Sequence, residues 1–354
     1  LAKSASISPW WDKGRHADRR PALVLRGAIK AAIRNRFEKA GFTEVECGVL
    51  AVSPGNEAHL SAFATEKIAP DGEKRLLYLH TSPEFAAKKL LAAGETKIFD
   101  FARVFRNREA GPLHANEFTM LEWYRAGAPY AAVMGDAVDL VRLAAETAGT
   151  RQFVFHGGVC DPFAEAEELT VAEAFFRYAG IDLAATLTEG GEGIRDALAD
   201  AARIAGIAPA ADDTWADIFS KVLVAEIEPR LGEGRPTLLD RYPACEAALA
   251  RRAPDDPRFA ERFELYVCGV ELANGFGELT DPEEQQKRFE CEMDEKERIY
   301  GERYPLDEDF LAALSHMPEA SGVALGFDRL AMLAAGARTL NDVIWTPLAG
   351  EYGP

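Results

Sequence analysis

The chain predicts an α+β fold, an antiparallel β-sheet flanked by helices, and three observations carry that reading. Its strand-like segments arrive in hairpin groups instead of alternating one by one with helices. The two longest, KIFDFARVFRN and EFTMLEWYRA, are separated only by a polar loop. Neither GxxxxGKS/T nor GxGxxG occurs, so a nucleotide site, if present, is neither a P-loop nor a Rossmann crevice. At 354 residues the chain exceeds one ordinary core, which implies one large domain with an insertion or two domains.

Taken in order, ALVLRGAIKAAIRNRFEKAG sets Leu25, Ile29, Ile33 and Phe37 along one helical face and stops at Gly41. TEVECGVL reads as a short strand. LLYLH is a strand leading into a helix over TSPEFAAKKLLAAG, in which Ser82 is suited to cap, Pro83 to enter the first turn and Gly94 to terminate. Glu84 therefore sits at a strand-to-helix junction. The loop REAGPLHAN between the two long strands is longer than a hairpin needs, and such loops often carry function. A helix is expected from Tyr130 to Gly149. Residues from about 164 to 235 read as an acidic, Ala-rich helical insertion, with Thr170 capping VAEAFFRYAG. PTLLDRYPA returns to strand, and PDDPRFAER reads as a loop and helix start. FELYVCGVELAN is a hairpin turning at Cys268-Gly269, and SGVALGFDRLAMLAAGA is a strand, a glycine turn and a helix.

Composition excludes several functions. Forty basic against 58 acidic residues give a net charge of −18, which repels phosphate backbones, and the longest basic run is only RHADRR. Stable tRNA binding is not expected. The five cysteines are scattered, without a CxxC pair or a histidine cluster, so neither a disulfide framework nor a zinc site is indicated. No apolar run approaches the ~18 residues of a membrane span, and LAKSASISPWWDKGRHADRR has no apolar signal core. The expectation is a soluble, cytoplasmic protein that contacts no membrane. His59 and His80 read as packing or loop residues, and Trp10 and Trp11 have no assigned role.

The chemistry is carried by carboxylates and arginines. GVELANGFGELTD holds Glu271 and Glu278, and Glu264 lies seven residues upstream. In the hairpin Glu264 and Glu271 fall on neighbouring strands, close enough to share a cation. Taken alone, an acidic hairpin is more often a solvated sheet face. Arg106 before the long loop and Arg329 after the ALGFD turn, both read as lying on sheet strands, alter that balance, since two guanidinium forks from distant segments suit the two ends of a triphosphate. With magnesium on Glu264 and Glu271, cation, arginines and phosphates neutralise one another.

Three segments together resemble the class II aminoacyl-tRNA synthetase core. FRNREAGPLHANEFTMLEWY is similar to its second motif, GVALGFDRLAML to its third, and the first helix with GFTEVECGVL to its dimer-forming first. TSPE, HANEFTMLEWY and ELANGFGELTD resemble the lysyl-tRNA synthetase branch, and the resemblance spans roughly residues 22 to 345. It implies ATP and Mg2+, a homodimer, and specific roles. Arg106 would hold the α-phosphate and Arg329 the γ-phosphate, both as catalytic groups. Asn107, Arg108, Glu109, His114, Glu271, Leu272 and Gly326 would complete the ATP site, and Glu264 and Glu271 would take the metal. Ser82, Pro83, Glu84, Glu122, Tyr124, Asn274, Glu278 and Ala324 would bind the substrate. Among these, Glu84 with Glu122 would meet an amino group near the reacting end, and Tyr124 with Glu278 the distal ammonium.

The chain departs from the family pattern at four places. Arg108 stands where a glutamate is usual, HANEF replaces the usual His-Asn-Pro-Glu-Phe so that Ala115 removes an amide, and Gly48 replaces the proline of the first motif. The fourth departure is of length. A lysyl-tRNA synthetase carries an anticodon-binding barrel before the first motif, whereas here residues 1–21 form a short N-terminal extension to a catalytic domain over 22–354, with no anticodon-binding domain expected. That architecture is similar to the lysyl-tRNA synthetase paralogues that ligate (R)-β-lysine to a lysine side chain of elongation factor P. Those enzymes have alanine where Ala324 stands and lysyl-tRNA synthetases have glycine, so the resemblance implies (R)-β-lysine over α-lysine. A truncated lysine-activating enzyme serving tRNA or a small acceptor is the alternative.

Overall fold

The protein is described from a computed structural model, which covers residues 9–109 and 111–348; the ends of the expected extension and catalytic domain, 1–8 and 349–354, lie outside the described residues. The strands are β1 (Thr43–Glu44), β2 (Leu50–Ala51), β3 (Phe63–Ile68), β4 (Lys74–Leu79), β5 (Lys97–Phe105), β6 (Glu117–Ala126), β7 (Phe153–Phe155), β8 (Gly158–Cys160), β9 (Glu167–Thr170), β10 (Thr237–Asp240), β11 (Arg262–Val267), β12 (Val270–Gly277) and β13 (Ala320–Gly326). The helices are α1 (Lys13–Lys39), α2 (Glu84–Ala92), α3 (Tyr130–Ala148), α4 (Val171–Ala179), α5 (Arg195–Ile204), α6 (Trp215–Val222), α7 (Pro282–Tyr300), α8 (Glu308–Leu314) and α9 (Phe327–Ala334).

Eight strands form the central sheet in the order β1-β5-β6-β13-β12-β11-β10-β9. Its pairs are antiparallel except β1 with β5 and β9 with β10 at the two edges. The α+β expectation therefore holds, with parallel pairing confined to the margins. Side chains alternate across the pleat. On one face Phe99, Leu121, Trp123, Phe263, Leu265 and Val323 join the main core with residues of α1, α3 and α9. The other face is covered at one side by α2, α7 and α8, where Phe85 stacks on Phe310 at 4.1 Å, and at the opposite side by α4 to α6, where Phe175, Trp215 and Phe219 stack. Between these two coverings the face stays open.

Several sequence expectations meet a different outcome. The first helix begins at Lys13 with Asp12 as its cap and runs through Pro21, so it crosses the boundary drawn at residue 21. TEVECGVL yields two two-residue strands separated by coil at Gly48. The Ala-rich segment does not begin as helix: Glu167–Thr170 is an edge strand of the central sheet, and Thr170 then caps α4 through a complete capping box. PDDPRFAER forms a loop without a helix, held by bridges such as Arg252 with Ala260. Arg329 lies in the first turn of α9, not on a strand. Strand β3 and helices α7 and α8 went unread, the long α7 because its apolar positions are too sparse to mark a stripe. Among the described residues no helix is long and apolar enough to cross a membrane.

Candidate active site

The strand register assembles the site. One row across five strands reads Asp100, Glu122, Ala324, Asn274, Glu264, and the next reads Ile98, Tyr124, Gly322, Phe276, Arg262. All point to the open face. Glu271 lies three residues from Asn274, so regular pleating would turn it into the main core. A register shift between Leu265 and Tyr266 pairs Tyr266 with Glu271 instead, and this bulge brings Glu271 into the same cavity as Asn274. The turn at Cys268-Gly269 has φ of 52° and 70°, the paired positive values of a tight hairpin.

At one end of the cavity stand the arginines. Arg106 donates from Nε to the Thr81 carbonyl at 3.3 Å, with its guanidinium 5.4 Å from the Phe118 ring centre. Arg329 donates to the carbonyls of Leu113 at 3.1 Å and Glu271 at 2.9 Å, and its Nη2 lies 3.2 Å from His114 Nε2. Glu109 and His114 line the cavity, as do Leu272 and Gly326. Asn116 donates to the carbonyls of Arg106 at 2.8 Å and Glu109 at 3.1 Å, so it ties the two ends of the long loop together beside Ala115. Asn107 and Arg108, expected in the ATP site, do not line it. Asn107 is bridged to Ser61, and Arg108, at φ 61°, turns its guanidinium onto Glu302 at 2.5 Å. The glutamate one place later, Glu109, faces inward instead.

Glu264 is held on all sides. Its Oε2 accepts from Tyr242 at 2.5 Å and Tyr266 at 2.7 Å, and its Oε1 from Arg262 at 2.7 Å. Glu271 titrates at about 7, pushed up by burial and then by the Glu264 charge, against the pull of Arg329, Arg262 and Arg106. Glu271, raised in part by the charge of its neighbour Glu264, marks a local deficit of positive charge, which suits a divalent cation. Among the described residues no group of three or more His, Cys, Asp or Glu could hold a metal by itself. Glu264 and Glu271 would hold a magnesium ion here without a cage made of protein alone.

At the other end the carboxylates are buried. Glu122 accepts from Ser82 Oγ at 2.5 Å and from Tyr124 at 2.7 Å, and burial followed by the Glu84 charge raises it to about 8. Glu278 is raised to about 7, chiefly by burial. Ser82 also accepts the Glu84 backbone N–H at 3.0 Å, so it caps the start of α2, while Pro83 occupies the cap position. Ser82, Glu84, Asn274 and Ala324 reach the cavity itself, whereas Glu122, Tyr124 and Glu278 form its 1–3% exposed floor.

Two residues of this floor escaped the sequence reading. Gly322 is one: a Cβ there would overlap both the Tyr124 ring and the Glu278 carboxylate. Its position two residues before Ala324 on the same face was the available signal. Lys88 is the other, a lysine four residues after Glu84 on the same helical face. It is 1% exposed, and its Nζ lies 2.5 Å from Glu84 and 2.6 Å from Glu278. Glu84 and Glu278 thus already share a resident cation.

Comparison with known proteins gives a consistent result. The family model of class II tRNA synthetases (D, K and N) matches residues 8–349. Curated relatives named elongation factor P--(R)-beta-lysine ligase include one from Haemophilus influenzae (strain PittGG), 42% identical over 91% of this chain and 93% of its own length. The protein of that name from Avibacterium paragallinarum is 40% identical over 91% of this chain and 94% of its own. The one from Proteus mirabilis (strain HI4320) is 39% identical over 94% of this chain and 98% of its own.

Proposed function

The chain belongs to the class II tRNA synthetase family (D, K and N), and from that premise we propose that it is an ATP-dependent ligase. It activates (R)-β-lysine as an aminoacyl-adenylate and passes it to a lysine side chain of elongation factor P. The observation that carries this reading is the polarity of the cavity: guanidinium groups at one end, buried carboxylates at the other. ATP lies with its α-phosphate at Arg106 and its γ-phosphate at Arg329, and the ammonium groups of the substrate lie at Glu84, Glu122, Tyr124 and Glu278. Magnesium, when bound at Glu264 and Glu271, supplies charge neutralisation at the phosphates.

The substrate carboxylate attacks the α-phosphorus in line, pyrophosphate leaves, and the mixed anhydride remains on AMP. Arg106, steadied by Thr81 and Phe118, stabilises the charge that builds on the α-phosphate. The acceptor amine then attacks the activated carbonyl, AMP departs, and the amine loses a proton as the amide forms. Alignment of these groups on the rigid sheet supplies proximity, and no protein nucleophile is needed.

Ala324 sits between Glu122 and Asn274 in the register, with its methyl on the cavity wall. An α-amino group would meet that methyl, whereas a β-amino group one carbon further along reaches Glu84. The protein acts as a homodimer, supported by exposed Val24 on α1 and by exposed Leu50 and Leu76 on the β2-β4-β3 sheet. Free cysteines suit the cytoplasm as its compartment. A net charge of −18 favours elongation factor P over tRNA as the acceptor. The test is incubation with ATP, either lysine isomer, and either elongation factor P or tRNA, followed by intact-mass analysis. A mass gain on elongation factor P with (R)-β-lysine is expected. Efficient charging of tRNA with none on elongation factor P would refute the reading.

A further inference from the structure

Glu84 on α2, Glu122 on β6 and Glu278 just after β12 come from separate parts of the chain yet meet at one end of the cavity, Glu122 and Glu278 in its buried floor and Glu84 on its wall. Three carboxylates in such a place repel one another and are costly to ionise without compensation. Among the described residues, Lys88 is the cation paired within the cluster. It follows Glu84 by one helical turn, so both side chains leave α2 on the same face, and its ammonium lies within 2.6 Å of Glu84 and of Glu278. Glu122 receives two hydroxyl donors and no cation. Arg251, which also acts on Glu278, is committed to Glu261 at 2.6 Å. Asp307, the cap of α8, and Asp309 within it pair with Lys89, the outward neighbour of Lys88.

We infer that Lys88 is a positioning residue: its ammonium pairs with both Glu84 and Glu278 and fixes where their carboxylates aim, toward a substrate that carries two ammonium groups. The inference rests on the proposed reading of the site as a diamino-acid pocket. Burial alone would drive the Lys88 proton off, but Glu278 and Glu84 together outweigh it and keep the ammonium raised. Without that internal cation, Glu278 would keep its proton to higher pH, and that retained proton removes a partner for the substrate. The groups facing Lys88 and its two partners are Glu57 ahead of β3, Glu84 from α2, Glu122 and Tyr124 from β6, Glu278 after β12, and Arg251 beyond it. Lys88 touches no reacting atom, so its loss should appear in substrate capture far more than in the turnover of bound substrate.

The test uses Lys88→Met and Lys88→Arg in the full chain, with ATP–pyrophosphate exchange driven by (R)-β-lysine from pH 6 to 9 and urea midpoints as a check on folding. In Lys88→Met, KM for (R)-β-lysine should rise about ten- to hundredfold, as for loss of a buried charge partner. Its kcat should stay within about threefold of wild type and the acid limb of kcat/KM should move to higher pH. Lys88→Arg keeps the charge and should leave the acid limb at the wild-type position. A folded Lys88→Met with wild-type KM and an unmoved acid limb overturns the inference. If Lys88→Met does not fold, Lys88→Arg decides: an unmoved limb supports the role, and a limb displaced upward overturns it. Absence of exchange with either lysine isomer in the wild type would instead sink the underlying reading of the pocket, whatever the variants do.

Discussion

On one face of the central sheet Phe99, Leu121, Trp123, Phe263 and Val323 are at most 2% exposed and packed into the main core, while the opposite face of the same strands carries Glu122, Asn274, Glu264 and Arg262. Neighbouring residues in the chain thus serve different ends. The apolar face gains from burial and asks only for shape and volume. The polar face holds like charges close together, which costs stability and is offset by hydroxyl donors and by Arg262 and Lys88. A fold that alternates the two along each strand can keep its reactive groups under strain because every second residue anchors the same strand.

Substitutions on the two faces should therefore separate stability from activity. The largest change is expected from Trp123→Ala, which removes a fully buried side chain from the main core and should cost about 3–5 kcal/mol in a urea unfolding experiment. Its KM for lysine, measured while folded, should stay close to wild type. Next come Glu271→Gln and Arg106→Ala, each expected to slow lysine-dependent pyrophosphate exchange by ~10²- to 10³-fold with little change in the urea midpoint. Near-normal exchange in both would remove the phosphate and metal assignments.

Two smaller substitutions sharpen the contrast within the polar face. Gly322→Ala places a methyl against Tyr124 and Glu278 and should weaken (R)-β-lysine binding by about tenfold or more, as overpacking does, while ATP binding is kept. Equilibrium binding of each ligand separately would show whether the damage is local. Ala324→Gly removes the methyl between Glu122 and Asn274. It should shift the ratio of adenylation rates toward α-lysine by roughly ten- to two-hundredfold, the range that one methyl commands. An unchanged ratio would mean that Ala324 only packs.

Much of this arrangement was legible from the residues. Strands β5, β6 and β13, helix α3 and the Cys268-Gly269 hairpin were set by local apolar pattern and by glycine punctuation. The pairing of Glu264 and Glu271 depended on something subtler. An odd spacing within a ladder normally separates faces, and only the shift at Leu265/Tyr266 brings the two carboxylates together. Arg108 could not be placed from its motif, because its direction follows from a positive φ and from Glu302, 194 residues away in the chain. Lys88 was hidden for the opposite reason: a Glu-Lys pair one turn apart ordinarily decorates a solvent-facing helix, and nothing local reveals that α2 buries that face.

The most direct test of the polar face as the substrate site needs no substitution. With Glu122 at about 8 and Glu278 at about 7, the free protein carries protons on this floor at pH 7, and incoming ammonium groups should expel them. Calorimetric titration with (R)-β-lysine at pH 7, in buffers of different ionisation heat, counts those protons. A net release of protons on binding is expected, shrinking as the pH is raised and the carboxylates lose their protons beforehand. Tight binding with no proton release at pH 7, or with proton uptake, would contradict the assignment of the ammonium groups to Glu122 and Glu278.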